Sequence, residues 1–333
     1  MNTKLIMKAI PRQMELLKNI CVASALALAT SVSTSVFAIP PEPAADQEGA
    51  IAIVGAIAHI GDGSIVPDAV ITFENGVITN VGTANDNFDL DDHQVVDMTG
   101  QHVYPGFVLP NTTLGLEEVA ASRATLDFVE EGDINASVRA AIAYNTDSAV
   151  IPTIRFNGIL SAQVTPQGGL ISGSSSVMNL DGWNWEDAAL RLDDGLHLYW
   201  PSLKTRRFNR DLGQFETVDN ENYSGQVQLL HTLFRDAQTY TGEPRNLNLQ
   251  AMQGLFRGTS KLYLHANGAK EIISVVGFAR SYPIDNLVLM GAAEALKVKD
   301  LLLAENIPVV YDTVHSLPGM PWHDIDAPFK MPF

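Results

Sequence analysis

The stretch LYLHANGAKEIISVVGFARSYPIDNLVLMGAAEALKVKDLLLAENIPVVY, residues 262–311, decides the fold class. Short apolar runs typical of strands alternate along it with patterns typical of amphipathic helices. In chain order these segments are strand Leu262–Leu264, helix Ala269–Ala279, strand Leu287–Leu289, helix Ala292–Ala304 and strand Ile307–Tyr311. Strands joined by helices of this length predict βαβ units and a parallel sheet.

Toward the N-terminus the same rhythm continues less regularly. Ala149–Arg155, Ile159–Thr165 and Gly195–Trp200 are interpreted as further strands, and Tyr223–Tyr240 has one apolar helical face. The Gly/Ser-rich run 168–176 lacks the lysine of a phosphate-binding loop and the spacing of a nucleophile elbow. We interpret it as a flexible loop.

Residues 39–104 have a different pattern and predict a small β-layer. Ala69–Phe73 and Val77–Val81 flank Asn75-Gly76, and Asn-Gly between two β-branched runs is the signal of a type I′ hairpin. Residues 105–333 then form the β/α part of the chain.

The first 38 residues resemble a secretory signal peptide. A leader containing three lysines and one arginine precedes the nearly uncharged stretch Ile20–Val36, and Val36-Phe37-Ala38 has the small-residue pattern of a cleavage site. We therefore expect a periplasmic or secreted protein, with no membrane attachment after cleavage.

The amino-acid composition disfavours several classes of partner and of metal site. The 333 residues include 21 Lys+Arg against 38 Asp+Glu, a net charge of −17, which disfavours a nucleic-acid partner and docking on anionic lipid. A single cysteine excludes an internal disulfide and a zinc site with several thiolate ligands.

Several motifs together resemble the amidohydrolase superfamily, in its imidazolonepropionase-like branch. They are GAIAHIGDG (55–63), DAVI (68–71), ENGVI (74–78), VDMTGQHVYPGFV (96–108) and LYLHANG (262–268). The resemblance implies a (β/α)₈ TIM-barrel-like hydrolase of C–N bonds that uses a divalent metal such as Zn²⁺. It also implies that the N-terminal strands join a C-terminal segment in a small β-sandwich.

The chain departs from the family pattern at the metal ligands. Asn111 and Thr113 stand where the family has the two histidines that follow its first barrel strand. His265 matches a family ligand, and Met290 occupies the position of the next one. Because amide and hydroxyl oxygens bind zinc weakly beside imidazole, we expect the usual metal site to be largely lost, with His265 as its remnant.

The resemblance also predicts an incomplete barrel. By strand count Ile307–Tyr311 is near the seventh barrel strand, and the family places its catalytic aspartate on the eighth. We expect the barrel to be short at its C-terminus, and a second polypeptide is a candidate partner that supplies the missing segment.

In parallel β/α folds the functional residues lie at the carboxyl ends of strands. The candidates for a pocket that takes a small molecule or a peptide are Asn111, Thr113, Arg155, Trp200, Asn267 and Met290. Six of the other histidines, His197 among them, are assigned no role.

Two functions remain open. One is an exported hydrolase of C–N bonds, weak or inactive as this chain. The other is a non-catalytic relative that binds a ligand or assists an active amidohydrolase.

Overall fold

The computed structural model describes residues 42–45, 47–210, 212–311, 326 and 330. The predicted signal peptide, residues 1–38, lies outside the described residues.

Five strands near the N-terminus form one sheet, in the order β3-β2-β1-β4, with β5 also paired to β1. The strands are β1 Ile51–His59, β2 Ile65–Glu74, β3 Val77–Thr83, β4 Gln94–Asp97 and β5 His102–Val103, with a 3-10 helix at Ala84–Asp86. Asn75 and Gly76 both have positive φ, 50° and 74°, and Glu74 pairs with Val77 across the turn. The predicted hairpin is confirmed.

The second sheet has seven strands among the described residues and is barrel-like, in the order β14-β13-β12-β9-β8-β7-β6. A separate ribbon, β10–β11, follows β9. The strands are β6 Phe107–Thr112, β7 Ile159–Val164, β8 Ile171–Asn179, β9 Ala189–Tyr199, β10 Lys204–Asn209, β11 Gln214–Asp219, β12 Lys261–Ala266, β13 Leu287–Gly291 and β14 Val309–Tyr311.

The predicted parallel sheet over residues 262–311 is confirmed, because β12, β13 and β14 pair in parallel, and β9 also pairs in parallel with β12. The predicted helix 292–304 is shorter than expected, with a 3-10 helix at Ala295–Val298 followed by an α-helix at Lys299–Ala304. The middle of the sheet departs from the predicted parallel order. Strand β8 runs antiparallel to both β7 and β9 and occupies most of the Gly/Ser-rich run that the sequence suggested was a loop. The fold is mixed α/β with a barrel-like sheet, and a regular (β/α)₈ repeat is not confirmed.

Helices cover one face of this sheet. They are Val150–Phe156, Trp185–Ala188, Tyr223–Gln238, Leu247–Ala251, Gln253–Phe256, Ala269–Arg280 and Lys299–Ala304, with 3-10 helices at Arg123–Thr125, Ala140–Ala143 and Ala295–Val298. The interpretation of residues 149–155 as a strand was wrong. Pro152 lies in the first turn of the helix Val150–Phe156, where the missing N–H of proline costs little.

The core lies between the sheet and its helices, in two clusters. The larger packs Leu196, Leu198, Leu262 and Leu264 against helices that include Ala269–Arg280. The smaller cluster packs against the helix side of β6, β7 and β8. Because side chains alternate along a strand, the odd-numbered residues of β12, and the odd-numbered residues 195–199 of β9, face the opposite side.

No helix within the described part of the chain is both long and apolar enough to cross a bilayer.

Candidate functional site

The face of the barrel-like sheet turned away from the helices, here called the inner face, is polar. Its register pairs set Tyr263 beside His197 and His265 beside both Tyr199 and Met290. The inner face comprises Gln163, Ser175, His197, Tyr199, Lys261, Tyr263, His265 and Met290.

Two imidazoles form the centre of this face. His197 Nδ1 and His265 Nε2 are 2.8 Å apart, so one ring donates its proton to the other. His197 is fully buried and stacks on Tyr263 at 4.5 Å between ring centroids, and its Nε2 has no partner. His265 stacks on Tyr199 at 4.0 Å.

Burial keeps both rings neutral. Desolvation, aided by the neighbouring His265, lowers the pKa of His197 well below its usual value. Burial also lowers the pKa of His265 to about 3. At neutral pH the pair therefore offers uncharged imidazoles.

A buried carboxylate lies next to the pair. The side chain of Asp194 is 2% exposed; it accepts hydrogen bonds from Tyr263 Oη and from Lys261 Nζ at 2.8 Å, and Arg191 Nε is 2.9 Å away. Burial alone would raise the pKa of Asp194, but the hydrogen bonds from Lys261 and Tyr263 outweigh it and lower the pKa. Burial and the adjacent carboxylate raise the pKa of Tyr263. Asp194 is thus held as an anion and the tyrosine as a neutral phenol.

Two irregularities of the backbone direct polar groups toward Gln163. Asp193 has φ 51° at a register shift between β8 and β9, and the bulge turns Asp194 inward. Asn111 has φ 49° at a shift between β6 and β7, and its N–H donates to Gln163 Oε1 at 3.2 Å. Gln163 Nε2 donates to Ser175 Oγ at 3.2 Å. Bulges at these places are typical of sheets that position functional groups.

Four of the predicted pocket residues lie at the carboxyl ends of the barrel strands. Asn111 has a buried Oδ1 without a partner, and the Thr113 hydroxyl donates to Glu117 at 3.3 Å. Met290 is fully buried on β13 beside His265. Asn267 follows β12. Its Oδ1 accepts a hydrogen bond from Ala293 N–H at 3.4 Å and so contacts the loop after β13.

The structure does not bring Arg155 and Trp200 to this site. Arg155 lies in the helix before β7, at the amino end of that strand, and pairs with Asp181 at 3.0 Å. The Trp200 ring packs in the helix-side core, 5.3 Å from Phe278. The Arg155 error follows from the wrong interpretation of residues 149–155 as a strand. The Trp200 error follows from side-chain direction, which strand-end position alone does not give.

His197 is the residue that sequence reasoning missed. The available signal was period-two alternation: Gly195, His197 and Tyr199 share a face, as do Lys261, Tyr263 and His265. Reading the two segments as neighbouring strands would have set the two histidines close together.

Comparisons with known proteins bear on this geometry. No protein-family model matches the sequence, and neither does any curated protein. Among solved structures, an amidohydrolase from Thermotoga maritima MSB8 superposes with a TM-score of 0.68 at 20% identity, over 81% of this chain and 72% of that one. The chain therefore shares its overall fold with that solved structure. A prolidase crystallised with N-methylphosphonate-L-proline also matches, with a TM-score of 0.42 at 11% identity, over 80% of this chain and 66% of its own.

The sequence resemblance implies a metal site at the strand ends, and the side chains there differ from those of a hydrolytic zinc site. Of the four positions that the sequence resemblance assigns to metal ligands, Asn111, Thr113, His265 and Met290, only His265 is an imidazole. Nowhere in the described ranges do three His, Cys, Asp or Glu side chains come close enough to hold a metal ion. Zinc in hydrolytic sites is held by three protein ligands drawn from these types.

Proposed function

We propose that this chain is an exported protein with the amidohydrolase fold that binds a small polar molecule or a peptide at the carboxyl ends of its barrel strands, without zinc-dependent hydrolysis. The main observation behind the proposal is that the ring nitrogen of His265 is already hydrogen-bonded within the protein. His265 Nε2 is engaged by His197 at 2.8 Å, and the matched partner positions hold Asn111, Thr113 and Met290.

The residues present do not fit the Zn²⁺ of the resembled family. A zinc-activated hydroxide needs several fixed ligands and a nearby proton acceptor. Asn111 offers a weak amide oxygen, the Thr113 hydroxyl is bonded to Glu117, and Met290 offers a soft thioether. We therefore assign no catalytic step to a zinc ion here.

Ligand binding is supported by the unsatisfied groups at the strand ends. The buried Oδ1 of Asn111 and the buried Nε2 of His197 have no partner in the described structure. Buried polar atoms without partners are costly and are commonly explained by a water or a ligand. A ligand carrying hydrogen-bond donors and acceptors, such as a small amide or a peptide, has the complementary chemistry.

Thermal-shift measurements with a panel of dipeptides and N-acetyl amino acids test the proposal. We expect at least one compound to raise the melting temperature of the wild-type protein, and Thr113→Val to reduce that shift. The matched control Thr217→Val, on the exposed ribbon, should leave it unchanged. No shift with any compound, or equal loss in both variants, would contradict ligand binding at this end of the sheet.

Hydrolysis of C–N bonds is the second candidate, favoured by the likeness to the Thermotoga amidohydrolase. Elemental analysis of the purified protein separates the two. We expect well under one equivalent of zinc and no turnover of the same compounds when Zn²⁺ is added. One tightly held zinc with turnover would establish the hydrolase instead.

Export is a separate part of the proposal. The basic leader, the apolar stretch and the small-residue site occur in the order of a signal peptide. Intact-mass measurement of protein from its native host should show the loss of residues 1–38. A full-length mass in the cytoplasmic fraction would refute export.

A further inference from the structure

The donors on the inner face that do not fit zinc form a set of a different kind. His197 Nδ1 and His265 Nε2 approach within 2.8 Å, and Met290 is the cross-strand neighbour of His265. Paired residues of parallel strands project to the same face, so the thioether lies on the same side as the two imidazoles. Met290 is fully buried and, unlike Leu289, takes no part in the helix-side core.

From this juxtaposition we propose that His197, His265 and Met290 bind a soft monovalent cation, Cu(I). Thioether sulfur selects soft metals, and imidazole binds copper readily, whereas zinc sites in proteins draw on thiolate, imidazole and carboxylate.

The local charge favours an ion of charge +1 over one of +2. The three donors are all neutral, and the nearest buried carboxylate in the described structure, Asp194, is already balanced by Lys261 and Arg191. Placing an ion in a low-dielectric interior is expensive unless opposite charge accompanies it. Since that cost rises steeply with the charge of the ion, a monovalent cation is the better match.

The histidine pair can open to receive the ion. One of the two facing nitrogens carries a proton in the hydrogen bond, and the buried His197 Nε2 has no partner. When His197 carries its proton on Nε2 and His265 carries its proton on Nδ1, both facing nitrogens present lone pairs. Binding the ion then replaces one hydrogen bond by two nitrogen–copper bonds and releases no proton.

The copper proposal does not depend on the ligand proposal. Copper binding can fail while peptide binding persists, and peptide binding can fail while copper binding persists.

Two other features must be controlled. Cys21 is the sole cysteine and could capture Cu(I) through its thiolate. His59 and His102 form a second imidazole pair, 2.9 Å apart, on the N-terminal sheet. The experiment therefore uses the full chain carrying Cys21→Ser and His102→Asn.

Anaerobic titration of this protein with Cu(I) in the presence of the chelator bicinchoninate should show one equivalent held by the protein. Met290→Leu should weaken binding by at least about tenfold. Met178→Leu, which alters an equally buried methionine on the helix side of β8, should leave it unchanged. Zn²⁺ should bind far more weakly in a matched zinc-indicator competition.

Failure to retain Cu(I), an equal effect of the two methionine variants, or zinc binding as tight as copper binding would each overturn the proposal. X-ray absorption at the copper edge gives a readout that needs no variant at position 290. We expect one sulfur scatterer together with nitrogen, and nitrogen or oxygen alone would exclude Met290.

Discussion

Two histidine pairs in the described part of the chain have nearly the same geometry and opposite surroundings. His59 and His102 lie on the N-terminal sheet, 2.9 Å apart, and stack with the exposed Tyr104. His197 and His265 lie 2.8 Å apart inside the barrel-like sheet. Water can replace the hydrogen bond of the outer pair, whereas breaking the hydrogen bond of the inner pair leaves buried nitrogens without a partner. The same contact is thus incidental at the surface and consequential inside.

The inner pair also belongs to a longer polar chain. Tyr263 stacks on His197 and donates a hydrogen bond to Asp194. Lys261 donates a hydrogen bond to the same carboxylate. The outer pair has no buried carboxylate among its described partners. The comparison predicts that substitutions inside cost several times more than matched substitutions outside.

The largest effect is expected at the carboxylate. Asp194→Ala removes the acceptor of Tyr263 and Lys261 and should lower the free energy of unfolding by about 3 kcal/mol, measured by urea denaturation. Asp219→Ala breaks the exposed pair with Lys204 and should cost less than about 1 kcal/mol. Equal costs would mean that the inner network contributes no more than a surface ion pair.

The histidine pairs provide the direct comparison. His197→Ala should cost about 2–3 kcal/mol, because it leaves a cavity beside Tyr263 and removes the hydrogen bond to His265. His102→Ala should stay within about 0.5 kcal/mol, as expected for an exposed side chain. If both variants melted alike, burial would not be what distinguishes the two pairs.

The pH dependence of stability follows from His265. Its pKa is near 6.5 in the unfolded chain and about 3 in the folded metal-free protein, so between these values the unfolded state binds a proton that the folded state does not. Its contribution is therefore complete above pH 6.5 and is lost as the pH falls toward 3. At about 1.4 kcal/mol per pH unit, His265 alone should lower stability by about 2 kcal/mol from pH 7 to pH 5, and His197, whose pKa is also lowered, acts in the same direction. His265→Gln should reduce this slope by the part that His265 contributes, and His102→Ala should leave the slope unchanged.

The parts of the fold that the sequence predicted are those in which local pattern and tertiary structure agree. The alternation over 262–311 and the Asn75-Gly76 turn each carry a signal within a few residues. Strand β8 was missed because glycine and serine are poor strand formers when taken alone. Ser175 and Ser176 are fully buried there, so packing between β7 and β9 decides the conformation.

The candidate site was predicted in part for a related reason. Strand-end position identified Asn111, Met290 and His265, whose side chains belong to the inner face or its rim. Position could not reveal that Trp200 turns to the helix side, nor that Asp194 turns inward, since the latter depends on the bulge at Asp193. Single-sequence reasoning has no access to register, and register brings His197 to His265.

The antiparallel course of β8 has a consequence for how the chain folds. Ser175 pairs with Gly195 across a short connection, whereas Gly195 pairs on its other side with Lys261, beyond the ribbon and three helices. Closing short loops costs less chain entropy and is faster than joining distant segments. We therefore expect β7, β8 and β9 to assemble first as a local meander, with β12, β13 and β14 adding later in order. Amide hydrogen exchange during refolding would then show protection in residues 159–199 before it appears in residues 261–311.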